Sequence, residues 1–203
     1  ITVYYRKVLP LEEESTFVES RLKKLDRGRM EKLLRTENRE VKARHLSAGC
    51  ILHDALCERL GLSSEGTPPF AIGYQDGGKP YLTEREDIYF NLSHSGEYVC
   101  VAVGDEPVGV DIQKKTMNRK AAENVPNTCD GEEKIAERFF PKSDRERLSV
   151  CRSSFPDGKA KYRDCFFRIW SVRESYGKLT GEGLIRGFSD FEIDWQEHRI
   201  LDG

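Results

Sequence analysis

The segment Glu37–Leu60 constrains the fold most, because it predicts a single long helix in a chain of only 203 residues. Its apolar stripe at helical spacing consists of Leu52, Ala55, Leu56 and Leu60. Gly61 follows directly and suits a left-handed C-terminal cap.

Strand-like runs precede and follow this helix in the sequence. The run Ile1–Val8 precedes it, and Ile88–Leu92 and Tyr98–Val103 follow it. After a turn at residues 104–107, the alternation in Val108–Ile112 predicts one further strand.

Helical patterns are interspersed with these strands. Glu12–Glu14 resembles an acidic helix start, and helical spacing returns at Glu132–Phe140 and around Phe166–Leu179. The alternating run Phe188–Trp195 predicts a last strand. We therefore predict an α+β fold of two similar halves, an N-terminal half over residues 1–104 and a C-terminal half over residues 105–203.

Composition excludes some classes of protein. Hydrophobic residues make up 37% of the chain, enough for a core, and 33 basic against 35 acidic side chains leave a net charge of −2, which does not favour nucleic acid. Arg21–Arg44 is the exception, with ten Lys/Arg against four Asp/Glu and a net charge of +6. Such a segment attracts phosphates or an acidic partner, or it is a solvated helix face; it contains no aromatic platform for bases.

Cysteine usage predicts a reduced, soluble, cytoplasmic protein. No Cys-x-x-Cys pair and no zinc-ligand spacing occurs, and Cys50 and Cys57 fit small core positions. The six cysteines are Cys50, Cys57, Cys100, Cys129, Cys151 and Cys165. The sequence shows no signal peptide and no apolar run long enough for a membrane span.

Two oxygen-bearing side chains share one face of the strand predicted at Val108–Ile112. Asp111 and Gln113 are two residues apart, so on a strand they point the same way and can reach one hard cation. The alternative is an ordinary strand with one buried and one wet face.

A carboxylate and an ammonium group stand one turn apart on the last predicted helix. Glu174 and Lys178 would form a surface ion pair contributing about 0.3–0.5 kcal/mol if nothing else surrounded them. The same segment carries the aromatic residues Phe166, Phe167, Trp170 and Tyr176. Charged groups beside an apolar wall are typical of a site.

A hydroxyl and an imidazole lie where the strand near residue 90 ends. Ser93 and His94 are adjacent, and Lys79 lies in a preceding glycine-rich turn. An ordinary turn would also explain them. Adjacent strand residues point to opposite faces, so Ser93 and His94 do not form a hydrolase nucleophile and base.

Together, these motifs and their order resemble the Sfp-type 4'-phosphopantetheinyl transferase family. The matching segments are Gly78–Pro80, Phe90–Ser95, Gly109–Ile112, Ala136–Phe140, Trp170–Lys178 and Lys178–Leu184. The resemblance spans about Arg29 to Phe191. It implies a transferase that moves the phosphopantetheine arm of coenzyme A to a serine of an apo-acyl or apo-peptidyl carrier protein and releases 3',5'-ADP.

The resemblance also implies a monomer of two pseudo-symmetric halves with coenzyme A in the cleft between them. By position, Asp111, Gln113 and Glu174 would hold Mg²⁺, and Lys178 would contact the pyrophosphate. Glu174, or a water molecule on the metal, would accept the serine proton. The residues implied to bind coenzyme A are Arg29, Lys32, Arg44, His45, Lys79, Ser93, His94 and Lys178. No nucleic acid or membrane partner is expected.

Two departures from the family pattern stand out. Gln113 occupies a position where many members have glutamate, so the metal site carries one negative charge less. The sequence also ends at Gly203, several dozen residues earlier than typical members. A non-catalytic protein that binds coenzyme A or a nucleotide is the alternative function, and the retention of Asp111, Glu174 and Lys178 argues against it.

Overall fold

The computed structural model describes residues 1–11, 16–115, 130–154, 158–183, 188 and 190–202. The helix start predicted at Glu12–Glu14 lies outside these residues, as does Cys129. The chain is a mixed α+β protein with small antiparallel sheets, as predicted. It divides into unit 1, Ile1–Ile112 with Lys178–Gly181, and unit 2, Gln113–Gly177 with Glu182–Gly203. The two similar halves that we expect to meet near residue 105 stay a prediction.

The described residues of unit 1 contain five strands. They are β1 (Thr2–Lys7), β2 (Ile72–Tyr74), β3 (Pro80–Leu82), β4 (Tyr89–Ser95) and β5 (Tyr98–Gly104). β1, β5 and β4 form an antiparallel sheet in that order, and β2 pairs with β3 in a separate hairpin. The strands predicted near residues 1–8, 88–92 and 98–103 are thus confirmed, whereas the hairpin has no counterpart in the sequence-based prediction.

The helices that lie wholly in the described part of unit 1 are α1 (Thr16–Leu22), α2 (Arg27–Arg35) and α3 (Arg39–Leu60). α3 is the long helix predicted from the sequence; the Asn38 side chain caps its first turn and Gly61, at φ +66°, ends it. One side of α3 packs on the sheet, where Leu52, Leu56 and Val101 are at most 3% exposed. Apolar burial therefore determines the position of β4, which carries Ser93 and His94.

The strand predicted at Val108–Ile112 is wrong, because residues 107–114 form no strand. The Val110 N–H donates to Asn91 Oδ1 at 3.1 Å, and the Ile112 N–H donates to Ser93 Oγ at 3.3 Å. Side chains of β4 thus satisfy amides that a ladder would otherwise pair. The expected burial of one face does hold for Val108, which is 5% exposed.

Among the described residues, unit 2 contains α4 (Asp130–Phe139), α5 (Lys142–Ser153), most of α6 (Gly158–Thr180), β6 (Phe191–Asp194) and β7 (Arg199–Asp202). α4 and α6 confirm predicted helices, α5 was not predicted, and β6 is shorter than the predicted Phe188–Trp195. Aromatic rings form the centre of the core, with Phe140, Phe166, Trp170 and Phe188 in mutual contact. No helix among the described residues has the length and apolarity to cross a membrane.

A buried ion pair joins α5, α6 and the segment before β6. The Arg173 guanidinium is 0% exposed and donates to Asp144 Oδ2 and, at 2.7 Å, to the Phe188 carbonyl. It also lies over the Phe191 ring, 4.6 Å from the centroid. Arg173 belongs to the segment that carries Glu174 and Lys178, so this pair orients the helix on which they lie.

A second network holds β1, α3 and the loop after α3 together. Asp54 on α3 accepts hydrogen bonds from Arg6 at 2.9 Å, from Lys24 at 2.6 Å and from Ser64 at 2.6 Å. Burial opposes ionisation of Asp54, but hydrogen bonds from His53, Lys24, Ser64 and Arg6 outweigh it and hold the pKa well below its usual range. Two of the basic residues of unit 1 are thus structural.

We expect Arg173→Met to lower the free energy of unfolding by about 3–5 kcal/mol, because Asp144 is then left buried without its partner. The control Arg199→Met, which breaks the exposed pair with Asp194, should cost less than about 1 kcal/mol. Urea unfolding measures both values. Equal costs for the two variants would contradict a structural role for the buried pair.

Asp54→Asn should lower stability in a pH-dependent way. Because folding depresses the pKa of Asp54, its stabilisation is complete above the unfolded value of about 3.9 and declines as pH falls below it. The difference in unfolding free energy between wild type and variant should therefore be largest near pH 6 and shrink towards pH 3. Urea titrations across this range test it, and a difference that does not change with pH would refute it.

Candidate functional site

Ser93, Asp111 and Lys178 form a closed hydrogen-bonded group in unit 1. Ser93 Oγ donates to Asp111 Oδ1 at 2.8 Å, and Lys178 Nζ donates to the same oxygen at 2.7 Å and to Ser93 Oγ at 2.9 Å. The Ile112 N–H also donates to Ser93 Oγ. One hydroxyl therefore links β4, the segment after β5 and the last turn of α6.

The carboxylate of Asp111 has one oxygen to spare. Its side chain is 2% exposed, so the carboxylate is buried, and its role as a metal ligand stays a prediction. Oδ1 takes both bonds, whereas Oδ2 is buried and accepts no hydrogen bond from any described residue. A buried carboxylate oxygen without a partner is costly unless a cation or donor reaches it. The group therefore fits the oxygen-ligand chemistry that Mg²⁺ requires.

The other two predicted metal ligands belong to unit 2. Gln113 is half-buried, and Glu174 is half-buried on α6, four residues before Lys178. Among the described residues, no three His, Cys, Asp or Glu side chains cluster as a metal site would. The predicted set contains only two carboxylates together with an amide, so the absence of such a three-residue cluster does not bear on it. The metal-ligand set therefore stays a prediction.

Lys79 binds the end of α6. Its Nζ donates to the Leu179 carbonyl at 2.5 Å, and partial burial lowers the pKa of its ammonium group. The turn before Lys79 approaches the residue after α6 so closely that a Cβ on Gly77 would lie 2.2 Å from the Gly181 backbone oxygen. This turn fixes the helix end that carries Lys178, while nucleotide binding by Lys79 stays a prediction.

A cluster of positive charge lies beside this group in unit 1. Burial lowers the pKa of His45, and Lys32, His94, Arg29 and Arg44 lower it further. His94 responds similarly, since partial burial and the charges of Arg44, Lys178 and Lys32 all lower its pKa. Burial and the nearby positive charges thus disfavour protonation of both imidazoles. We define the basic cluster as Lys32, Arg44, His45 and His94.

Within the described residues, neither Lys32 nor Arg44 has a carboxylate partner. Arg29 differs, because it pairs with the helix-capping Asp26 at 3.1 Å and is only 17% exposed. Like charges held together without a counter-charge favour binding of an anion. Arg29 is therefore partly neutralised, and Lys32 and Arg44 retain their charge for a ligand.

The structure separates the basic segment Arg21–Arg44 into cations with different roles. Arg21 is 6% exposed and donates to Ser47 Oγ, and Lys24 belongs to the Asp54 network. Arg27 forms an exposed pair with Glu31. The net charge of +6 thus does not form one continuous surface for a partner.

The sequence-based prediction missed the linking role of Ser93 and the part of Asn91. Both residues are buried on β4, where Asn91 is 4% and Ser93 7% exposed. Buried polar side chains at alternate positions of a strand require internal partners. That pattern was available in the sequence and pointed to the adjoining segment.

Comparison with known proteins agrees with this site. The sequence model of the 4'-phosphopantetheinyl transferase superfamily matches residues 107–201, which include Asp111, Gln113, Glu174 and Lys178.

Individual relatives extend the match towards the N-terminus. A 4'-phosphopantetheinyl transferase of Bacillus subtilis is 32% identical over 163 residues, covering 80% of this chain and 63% of the relative. The 4'-phosphopantetheinyl transferase Sfp of Bacillus subtilis strain 168 is 26% identical over 191 residues, covering 94% and 74%. The pptA transferase of the fungus Paxillus involutus is 26% identical over 199 residues, covering 93% and 72%. The chain thus spans less than two thirds of the first relative's length. These matches show that the chain is similar to Sfp-type 4'-phosphopantetheinyl transferases over most of its length.

Proposed function

We propose that the chain transfers the 4'-phosphopantetheine group of coenzyme A to a serine of an apo-acyl or apo-peptidyl carrier protein. The observation that carries this proposal is the buried Asp111 carboxylate, which is held by Ser93 and Lys178 and keeps Oδ2 open to a cation. A protein that only binds a nucleotide does not need a buried carboxylate poised in this way. The similarity to 4'-phosphopantetheinyl transferases supplies the substrate class.

Asp111, Gln113 and Glu174 are the residues proposed to hold Mg²⁺. Carboxylate and amide oxygens are the ligands that this ion prefers, and it would supply positive charge to the pyrophosphate oxygens. Asp111 provides the buried oxygen for it, and Ser93 and Lys178 fix the orientation of that carboxylate.

In the proposed transfer, the carrier serine oxygen forms a bond to the phosphorus that bears the pantetheine arm. The bond from that phosphorus to the leaving 3',5'-ADP breaks. Glu174 accepts the serine proton, and Lys178 offers a fixed positive charge where negative charge develops on the phosphate. Lys178 comes from the last turn of α6, which Lys79 holds through the Leu179 carbonyl.

The basic cluster is proposed to bind the 3'-phosphate of coenzyme A. Lys32 and Arg44 bring charges that no described carboxylate neutralises. A phosphate would also favour protonation of His45 and His94, reversing the depression of their pKa values. Arg29 is a weaker candidate because of its pair with Asp26.

The similarity to 4'-phosphopantetheinyl transferases also supports the arrangement of halves predicted from the sequence. We propose two pseudo-symmetric α+β halves in one monomer, with coenzyme A between them and a carrier protein as partner. The fold itself supports only the coarser point that both units combine helices with antiparallel strands.

Asp111→Asn should abolish transfer while leaving the fold intact. The amide keeps the size of the side chain and an oxygen acceptor but removes the charge that a cation needs. The assay incubates the full chain with coenzyme A, Mg²⁺ and several apo-carrier proteins, and mass spectrometry detects the added phosphopantetheine. We expect a loss of at least about 10²-fold in rate.

Asp87→Asn serves as the matched control for this variant, since it makes the same replacement at an exposed carboxylate of unit 1, which pairs with Arg85. Melting curves must show that Asp111→Asn is folded. Transfer at the wild-type rate by a folded Asp111→Asn protein would overturn the metal site. Transfer to none of the carriers by the wild type would overturn the proposed activity.

Replacing Lys32 and Arg44 together by glutamine should weaken coenzyme A much more than 3'-dephospho-coenzyme A. Each lost charge-assisted hydrogen bond to the phosphate costs about 1.5–3 kcal/mol, or roughly tenfold or more in Kd. The matched control replaces Arg27 and Arg35, two exposed cations of α2, the helix that also carries Lys32. Calorimetric titration of both nucleotides measures the difference, and an equal loss for the two nucleotides would exclude the phosphate assignment.

A further inference from the structure

A cavity of about 520 Å³ lies within unit 2, and two cysteines line it. Cys151 comes from α5 and Cys165 from α6, and both pack on the same aromatic core. Both are free thiols; Cys151 is half-buried and Cys165 is 8% exposed. Two thiols from different helices thus face one accessible space.

The cavity wall is rich in positive charge. Arg147 lies one turn before Cys151 on α5, and Lys161 and Arg168 lie on either side of Cys165 on α6. The thiolate, not the thiol, is the nucleophile in disulfide exchange. Lys115 and Asp164 pair with each other at 2.8 Å on the same wall.

The two thiols have unequal environments. Burial and a hydrogen bond with Cys151 raise the pKa of the Cys165 thiol to about 12, and nearby Arg147 only partly offsets this. Cys165 therefore keeps its proton at neutral pH. Cys151 is the better exposed of the two, so an external reagent meets it first.

We propose that Cys151 and Cys165 are a redox-active pair that closes to an intramolecular disulfide between α5 and α6. The Cys151 thiolate attacks one sulfur of a low-molecular-weight disulfide and expels the other half as a thiolate. Cys165 then loses its proton and attacks Cys151 Sγ, which expels the second half. In total, two protein thiols are oxidised to one disulfide and the small disulfide is reduced to two thiols.

Cys50 and Cys57 of unit 1 do not form an equivalent pair. Cys50 and Cys57 are both on α3, seven residues apart and roughly 10 Å along the axis, too far for a bond that needs Cα atoms about 4.4–6.8 Å apart. Each is at most 2% exposed, as expected for small core residues. They therefore provide an internal control.

The cavity wall also includes Gln113, which gives the disulfide a route to the proposed transfer reaction. A bond between α5 and α6 would restrict the surface that surrounds this amide. The existence of the disulfide does not depend on that reaction and is tested without it.

The test treats the full chain, carrying Cys129→Ser to simplify the products, with oxidised glutathione. We expect proteolysis and mass spectrometry to find peptides of Cys151 and Cys165 joined, with the loss of two hydrogen atoms. Cys165→Ser should instead retain glutathione on Cys151, whereas Cys50→Ser should still form the disulfide. Circular dichroism checks that each variant is folded.

Two outcomes would overturn the proposal. One is a folded protein in which Cys151 and Cys165 remain unlinked after treatment. The other is a bond that joins either of them preferentially to a different cysteine. Transfer assays on the oxidised protein then show separately whether the bond alters activity.

Discussion

The buried carboxylate of Asp111 is the constraint on which the site depends. A charge with 2% exposure cannot remain in a folded protein without compensation, and Ser93 and Lys178 provide it through one shared oxygen. To reach that oxygen, β4, the segment after β5 and the end of α6 must converge within unit 1. Residues distant in sequence are therefore held together by a single charge.

Supporting interactions are arranged around this convergence. α3 fixes the sheet by apolar burial, and the sheet fixes Ser93. Asn91 and Ser93 then take the amides of Val110 and Ile112, which orients Asp111. At the other end, Lys79 holds the Leu179 carbonyl, next to Lys178. Side-chain hydrogen bonds thus pair backbone amides here that backbone carbonyls would pair in a regular sheet.

This use of side chains explains which parts of the fold the sequence predicted. α3 was predictable because its stripe, its length and Gly61 all agree. β4 and β5 were predictable from apolar runs. The strand at Val108–Ile112 was not, since its alternation is real but its amides pair with side chains, which no local pattern records. The polar helix α5 was missed because it buries little beyond Leu148 and Asp144.

The candidate site was predictable to the level of residue types but not of partners. Motif spacing selected Asp111, Lys178 and Ser93, and the structure brings these three together. Motif spacing did not predict that Ser93 would bond Asp111, that Lys79 would bond a helix carbonyl, or that Asp26 would partly neutralise Arg29. Such pairings depend on tertiary proximity. Arg173 illustrates the same limit, because a residue inside the motif proved to be structural.

Charge balance links the two halves of the proposed chemistry. Lys178 already neutralises Asp111, and Gln113 brings no charge where glutamate is common in the family. A divalent ion held by Asp111, Gln113 and Glu174 would therefore leave this neighbourhood positive, beside a basic cluster that is positive as well. In the proposed function, the pyrophosphate and 3'-phosphate of coenzyme A would supply the missing negative charge. We expect metal and coenzyme A to bind cooperatively for this reason, each offsetting the repulsion that the other would meet alone.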